Sequence, residues 1–211
     1  MNLSIEFSKP EIKTAFDWQL AQEINVKNEN GDVVAKAEID IITLNKHRGA
    51  DESYELLAQQ GATDWEVPLN VYFKKQNIAA DLAEKLDIKI DTKAKNHILI
   101  EAISVLPEFR KQGVAKFLLN EIAQHYAKAQ SISILSMPMY LFVDADDCET
   151  EENKTYYQAL NLAENDANQE ELAKFLTQVG FMNVAIDDSA LEEPLPFKVF
   201  VTSPAAINND Q

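Results

Sequence analysis

The stretch that decides the fold is His97-Ile98-Leu99-Ile100-Glu101-Ala102-Ile103-Ser104-Val105, continuing as Leu106-Pro107-Glu108-Phe109-Arg110-Lys111-Gln112-Gly113-Val114-Ala115-Lys116. Its first part is almost continuously apolar, which suits a central strand covered on both faces. Pro107 ends that strand. After Gly113, residues Val114, Phe117, Leu118, Ile122, Tyr126 and Ala129 recur at helical spacing and predict an amphipathic helix. Gly113 and Ala115 are small, so a ligand can approach the backbone closely. The first amides of a helix have no intrahelical acceptor and carry the positive end of its dipole. Such an end can cradle a pyrophosphate. Arg110, Lys111 and Lys116 add positive charge around it. On residues alone this is either a phosphate site or an ordinary strand-to-helix turn.

Working outward, Ile5 and Phe7 share one face of a short strand, Ser4 to Phe7. Asn30-Gly31 reads as a hairpin turn, because both residues tolerate positive φ. It is followed by a strand in which Ala37, Ile39 and Ile41 alternate with Lys36, Glu38 and Asp40, so one wet face is expected. Ser53 to Gln60 and Val71 to Leu86 look helical. Ile132 to Leu135 reads as a strand stopped by Pro138. Leu172 to Val179 reads as a helix closed by Gly180. Val184 to Ile186 and Phe197 to Val201 read as last strands, and Ser203 to Gln211 as a frayed polar tail. The chain reads as one domain, residues 1–211, with a helical insertion at about 46–95 and an acidic insertion at about 144–171. The first insertion is too short to stand confidently alone.

Composition excludes several classes. The 211 residues are 46% apolar and 26% charged, which is ordinary for a globular chain. The formal net charge is −16. That opposes general binding of nucleic acid, which depends on Lys and Arg, and opposes anionic membrane surfaces. Cationic substrates or basic partners are favoured instead. Residues 144–171 hold ten acids against Lys154, a net of −9, while Glu101, Glu108 and Glu121 only balance Arg110, Lys111 and Lys116 between His97 and Tyr126. No apolar run is long enough for a membrane helix. Met1 to Lys13 lacks the apolar core of a secretory signal. The single cysteine, Cys148, excludes an internal disulfide framework and fits a reduced, cytoplasmic setting. His47, His97 and His125 lie far apart, without ligand spacing, so no metal is expected.

The order Val105, Pro107, Arg110, Gly113 and Ala115 resembles the acetyl-CoA signature of the GNAT superfamily of N-acetyltransferases. The context resembles it too: a buried strand before, a long helix after, and a closing element built from Lys174-Phe175 and Gly180-Phe181. The hairpin at Asn30-Gly31 is similar to the family's second and third strands. The resemblance covers roughly Ile24 to Phe181, apart from the two insertions. It implies the GNAT acyltransferase fold, of the α/β (α+β) class, with a mixed, mostly antiparallel central sheet flanked by helices. It implies acetyl-CoA as donor and direct attack by a primary amine, with the acceptor pocket built from early helices and the insertions. By the same resemblance the pyrophosphate lies on the amides of Lys111, Gln112, Gly113, Val114, Ala115 and Lys116, with Arg110 beside it. The pantetheine then runs along Ile103, Ser104 and Val105, on backbone that a splayed strand leaves free.

An attacking amine must be neutral, so a base is useful. Glu101 is the candidate, on the strand where some family members keep theirs. A carboxylate on an apolar strand is costly unless it is paired or functional. It serves as the base, pairs with a Lys or Arg, or points to solvent. The family's usual tyrosine, four residues before the closing glycine, is Leu176 here. Tyr140, Tyr156 and Tyr157 are the substitutes for the missing acid, although Tyr156 and Tyr157 also read as packing residues. Trp18 and Trp65 read as core or lid aromatics, His97 as structural and His125 as surface. Three functions follow. The first is an N-acetyltransferase acting on a small-molecule or peptide amine, small cationic amines being favoured. The second is a GNAT-like protein that has kept the fold and lost the transfer. The third is a module docking a basic partner. Family members also pair as homodimers.

Overall fold

The computed structural model describes residues 2–62, 64–71, 73–87, 96–136, 148, 150–162, 169–184 and 197–207. Among them, one sheet runs in the order β1 (Ser4–Phe7), β3 (Gln19–Lys27), β4 (Val33–Thr43), β7 (Asn96–Val105), β8 (Ser131–Leu135), β10 (Val199–Thr202), β9 (Met182–Val184). A two-residue β2 (Glu11–Ile12) also pairs with β3. All pairings are antiparallel except β7–β8. That single parallel step needs a crossover, supplied by α4 (Val114–His125). The predicted mixed, mostly antiparallel sheet flanked by helices is what forms.

The alternation in β4 sorts the core. Ala35, Ala37, Ile39 and Ile41 join Leu118, Leu119 and Ile122 of α4, and Leu176 of α6 (Gln169–Gln178), on one side. Ile42 and Leu99 join Leu57 of α1 (Ala50–Gln59), Leu69 of α2 (Glu66–Val71) and Leu82 of α3 (Ala80–Lys85) on the other. Lys36, Glu38 and Asp40 also lie on this second side. The sequence predicts a wet face there, and the structure corrects it. Lys36 is 3% exposed and Asp40 0%. The two excursions roof the face: α5 (Glu151–Ala159) covers Lys36 and Glu38 with Tyr156 and Tyr157, and the segment before α2 brings Asp64 and Trp65 toward Asp40. Alternation shows which residues share a face, but not what covers it.

Four other expectations change. The Asn30-Gly31 turn uses positive φ only at Gly31 (+87°). The Asn28 side chain accepts from the amides of Asn30 (2.9 Å) and Asp32 (3.0 Å), so it does the work a second left-handed residue would have done. The helix expected over Val71 to Leu86 is broken by a small hairpin, β5 (Phe73–Lys74) with β6 (Asn77–Ile78). The Lys75 carbonyl accepts from Ala50 (2.7 Å) and the Ile78 amide donates to Gln130 (3.0 Å), so tertiary partners take backbone groups a helix would have used. No helix precedes residue 50, because the chain after β1 turns straight back through β2 into β3. The early helices implied by the resemblance are therefore absent. Finally, residues 203–207 are not frayed: Ser203 and Pro204 are buried, and Ile207, 1% exposed, packs in the α4 core. The loop into α6's partner strand fits there because Gly180 is left-handed (φ +100°) and has no side chain. Pro138, Tyr140, Ile186 and much of the acidic insertion lie outside the described residues. Among the described residues no helix is long and apolar enough to cross a membrane.

Candidate active site

The site is organised by one irregularity. β4 and β7 pair with Glu38 opposite Ala102 and Ile39 opposite Ile100, so Glu101 is an extra residue in β7 without a partner across the ladder. A bulge of this kind re-aims a side chain. Alternation puts Glu101 on the covered polar face with Leu99, opposite Ile98 and Ile100, and the bulge brings Ile103 and Val105 back to the α4 side. The β7–β8 ladder also stops there. Its last pair is Ile100 with Ile134, and Leu135 pairs onward with Val199 of β10. Past that pair β7 runs on to Val105, and Ile103, Ser104 and Val105 have no partner from β8 among the described residues.

Past β7, Pro107–Phe109 form one 3₁₀ turn, and the loop then passes through two left-handed residues, Lys111 (φ +60°) and Gly113 (φ +83°). Gly113 opens α4 with no side-chain cap. A Cβ built there meets nothing within 4 Å, so the turn faces open space. Lys111, Gln112 and Gly113 are exposed, while Val114 and Leu118 turn into the core. The Arg110 side chain is engaged with backbone: it donates to the carbonyls of Val105 (3.0 Å) and Leu160 (3.1 Å), tying α5 to the end of β7. The Gln112 amide donates to the Glu108 carbonyl (2.6 Å). Ala115 and Lys116 sit half-buried in the first turn of α4.

Glu101 is not alone. Lys13, just after β2, places its ammonium on the Glu101 carboxylate, 3.1 Å from Asp40 Oδ2 and 3.3 Å from Asp64 Oδ2. The Asp40 carboxylate is completely buried and accepts from Gln19 Nε2 at 2.6 Å. Gln19 is held in turn by the Thr14 hydroxyl, 2.9 Å away. Burial pushes the Glu101 carboxyl up to about 7 against the pull of Lys13, and Asp40 and Asp64 add to the rise. Burial also raises Asp40, with Lys13 and Gln19 opposing. Lys13 pays a burial penalty of its own, which the Asp40 and Glu101 charges outweigh, so it is held above the ordinary lysine range.

Beyond the bulge the polar face continues. The Tyr157 hydroxyl donates to Glu38 at 2.7 Å. The Tyr156 hydroxyl lies 2.9 Å from Ser104 Oγ and 3.3 Å from the Ser104 carbonyl. Burial pushes Tyr156 up to about 12 and holds Tyr157 above the usual tyrosine range, helped by the Glu38 charge. Both phenols are therefore protonated near neutrality. Lys36 lies over the Tyr156 ring, 5.2 Å from its centre. Leu176 is fully buried in the α4 core, so that position carries no hydroxyl. His97 is buried as a structural residue, its Nδ1 2.9 Å from Ser131 Oγ, and His125 is exposed and stacks on Phe7.

A family model described as Acetyltransferase (GNAT) family matches residues 6–147. The chain belongs to the GNAT acetyltransferase family. Its members are acyltransferases, and the mostly antiparallel sheet flanked by helices is the fold that the sequence resemblance implied. Solved structures that match include polyamine N-acetyltransferase of Drosophila melanogaster, at 12% identity, 86% of this chain, 74% of that one and a TM-score of 0.42. A mosquito arylalkylamine N-acetyltransferase-like 5b matches at 12% identity, covering 85% and 73%, with a TM-score of 0.43. Arabidopsis thaliana NAA60 in complex with acetyl-CoA matches at 14% identity, covering 85% and 73%, with a TM-score of 0.41. No curated protein matches the sequence.

The sequence singles out Glu101, Ile103 to Val105 and Arg110 to Lys116, and the fold brings these along one line from the bulge to the first turn of α4. It missed Lys13, Asp40, Asp64 and Glu38. Asp40 carried a legible signal, a carboxylate inside the apolar run Ile39-Asp40-Ile41-Ile42. Lys13 and Asp64 carried none, since each is an ordinary charge in a polar loop.

Proposed function

We propose that this GNAT chain transfers the acetyl group of acetyl-CoA to a primary amine by direct attack, with Glu101 as the base and a small cationic amine as acceptor. The observation that carries the reading is the bulge. It lies at a carboxylate, raised to about 7 by burial, one residue past the last described β7–β8 pair. The exposed Gly113 turn supports the donor site: uncapped amides at a helix N-terminus suit the pyrophosphate, and Lys111 and Lys116 add charge. The backbone of Ile103, Ser104 and Val105 would align the pantetheine.

The ammonium arrives charged and gives one proton to Glu101, directly or through water. Its nitrogen then forms the bond to the thioester carbonyl carbon. The carbon–sulfur bond breaks, the thiolate leaves, and the nitrogen's second proton passes to it, leaving a neutral amide and CoA thiol. A base near pKa 7 is matched to this task at neutral pH. Carboxylates of Asp40, Asp64 and Glu38 near the bulge favour a cation over a neutral or anionic acceptor. The neutral phenols of Tyr156 and Tyr157, on the same covered face as Glu101, are available to relay that proton.

A panel of diamines, polyamines, amino acids, amino sugars and lysine peptides, with released CoA measured, tests the class. Glu101→Gln should lower kcat by roughly 100-fold or more while acetyl-CoA still binds. Undiminished turnover in that variant would remove Glu101 as the base. The apolar Leu176 favours a second reading, a GNAT fold that binds acetyl-CoA without transferring it, and single-turnover assays with the wild-type protein separate the two.

A further inference from the structure

Glu101 is held by a chain of contacts that reaches across four elements. The Thr14 hydroxyl fixes Gln19, Gln19 fixes the buried Asp40, Asp40 fixes the Lys13 ammonium, and that ammonium rests on Glu101. The backbone around Lys13 is anchored as well. β2 pairs with β3 just before it, and its own amide donates to the Gln19 carbonyl at 3.2 Å. Lys13 is thus brought to the bulge by built geometry, with its backbone exposed and its side chain 26% exposed among three carboxylates.

We propose that Lys13 is a positioning residue for Glu101: its ammonium aims the bulged carboxylate and sets the pH at which that carboxylate takes a proton. The proposal rests on the reading of Glu101 as the base. Among the described residues, the charged groups facing Glu101 are Lys13 from the β2–β3 segment, Asp40 from β4 and Asp64 from the segment before α2. Glu38 lies on the far flank of the bulge, occupied by the Tyr157 hydroxyl. Two of the three facing groups are carboxylates, and burial acts with them to favour the protonated acid. Lys13 alone acts against them. Without it, Glu101 would be a neutral acid at pH 7 and could accept nothing. Lys13 is a poor nucleophile in the same setting, because the surrounding carboxylates keep it charged. Its role is therefore to tune the base, and it does not serve as the acceptor.

The test needs no acceptor. Full-length protein carrying ¹³C-carboxyl glutamate is titrated by NMR, and the Glu101 signal is assigned by its loss in Glu101→Gln. In the wild type the signal should titrate well above the ordinary glutamate range. Lys13→Met should move the midpoint up by about 1–3 pH units, the usual effect of removing an opposite charge at contact. Lys13→Gln, which keeps a donor and drops the charge, should do the same and serves if the methionine variant does not fold. Lys13→Arg should restore the wild-type midpoint. Asp64→Asn should move it the other way, by removing a like charge. A midpoint unmoved by both Lys13→Met and Lys13→Gln, or lowered, overturns the proposal. The underlying reading fails separately: if Glu101→Gln turns over acetyl-CoA and amine normally, Glu101 is not the base, whatever its titration shows.

Discussion

Gly113→Val separates the folding role of the turn from its role in donor binding. Gly113 has φ +83° and ψ 0°, in the left-handed region, and a Cβ placed there touches nothing within 4 Å. The protein therefore resists valine only through backbone strain, about 2 kcal/mol for a β-branched residue at this φ. For a chain of this size that lowers Tm by about 4–8 °C. The donor meets a larger obstacle. The new side chain stands in the open space over the first amides of α4, where the pyrophosphate would lie. Losing two charge-assisted hydrogen bonds, at about 1.5–3 kcal/mol each, weakens binding on the order of 100-fold or more. Calorimetry with acetyl-CoA and a thermal melt on the same sample read the two effects. A Kd for acetyl-CoA within about threefold of wild type, with the expected drop in Tm, would show that the phosphates lie elsewhere.

Two further outcomes follow from the same structure. Gly180→Ala should destabilise far more than Gly113→Ala, because its Cβ would come within 2.2 Å of the Ala206 carbonyl oxygen; a Tm within about 2 °C of wild type would contradict the close approach of Ala206 to Gly180. His97 is buried, and burial pushes its pKa down to about 3, so between pH 6.5 and 3 the unfolded chain binds a proton that the folded chain refuses. His97 therefore makes stability fall as pH drops through that window, on the order of 1 kcal/mol per unit. Urea melts at pH 7 and pH 5 should show a smaller loss in His97→Gln than in wild type, and equal losses would refute this account.

Local patterns were legible where a single element carries the information. The apolar run at His97 to Val105, the helical spacing after Gly113 and the left-handed stop at Gly180 each depend on neighbours in sequence. They were enough to expect the sheet class, the β7–α4 junction and the family. Glu101 was visible for the same reason, as a carboxylate on an apolar strand. The break in the expected helix at Phe73 to Ile78 was not visible. Its backbone groups bond to Ala50 and Gln130, and no property of the segment itself announces those partners.

What the sequence by itself determined is the central strands, the helix after Gly113 and the small-residue turn between them, because φ preferences and apolar periodicity act over a few residues. What only the tertiary structure decided is the environment of Glu101. The bulge depends on the register between β4 and β7, and the cluster gathers Lys13, Asp40, Asp64 and Glu101 from four separate elements. A charge in a loop has the same local signature whether it meets water or a buried carboxylate. Desolvation and Coulomb attraction act through space, so the protonation of this site is fixed only once the chain is folded.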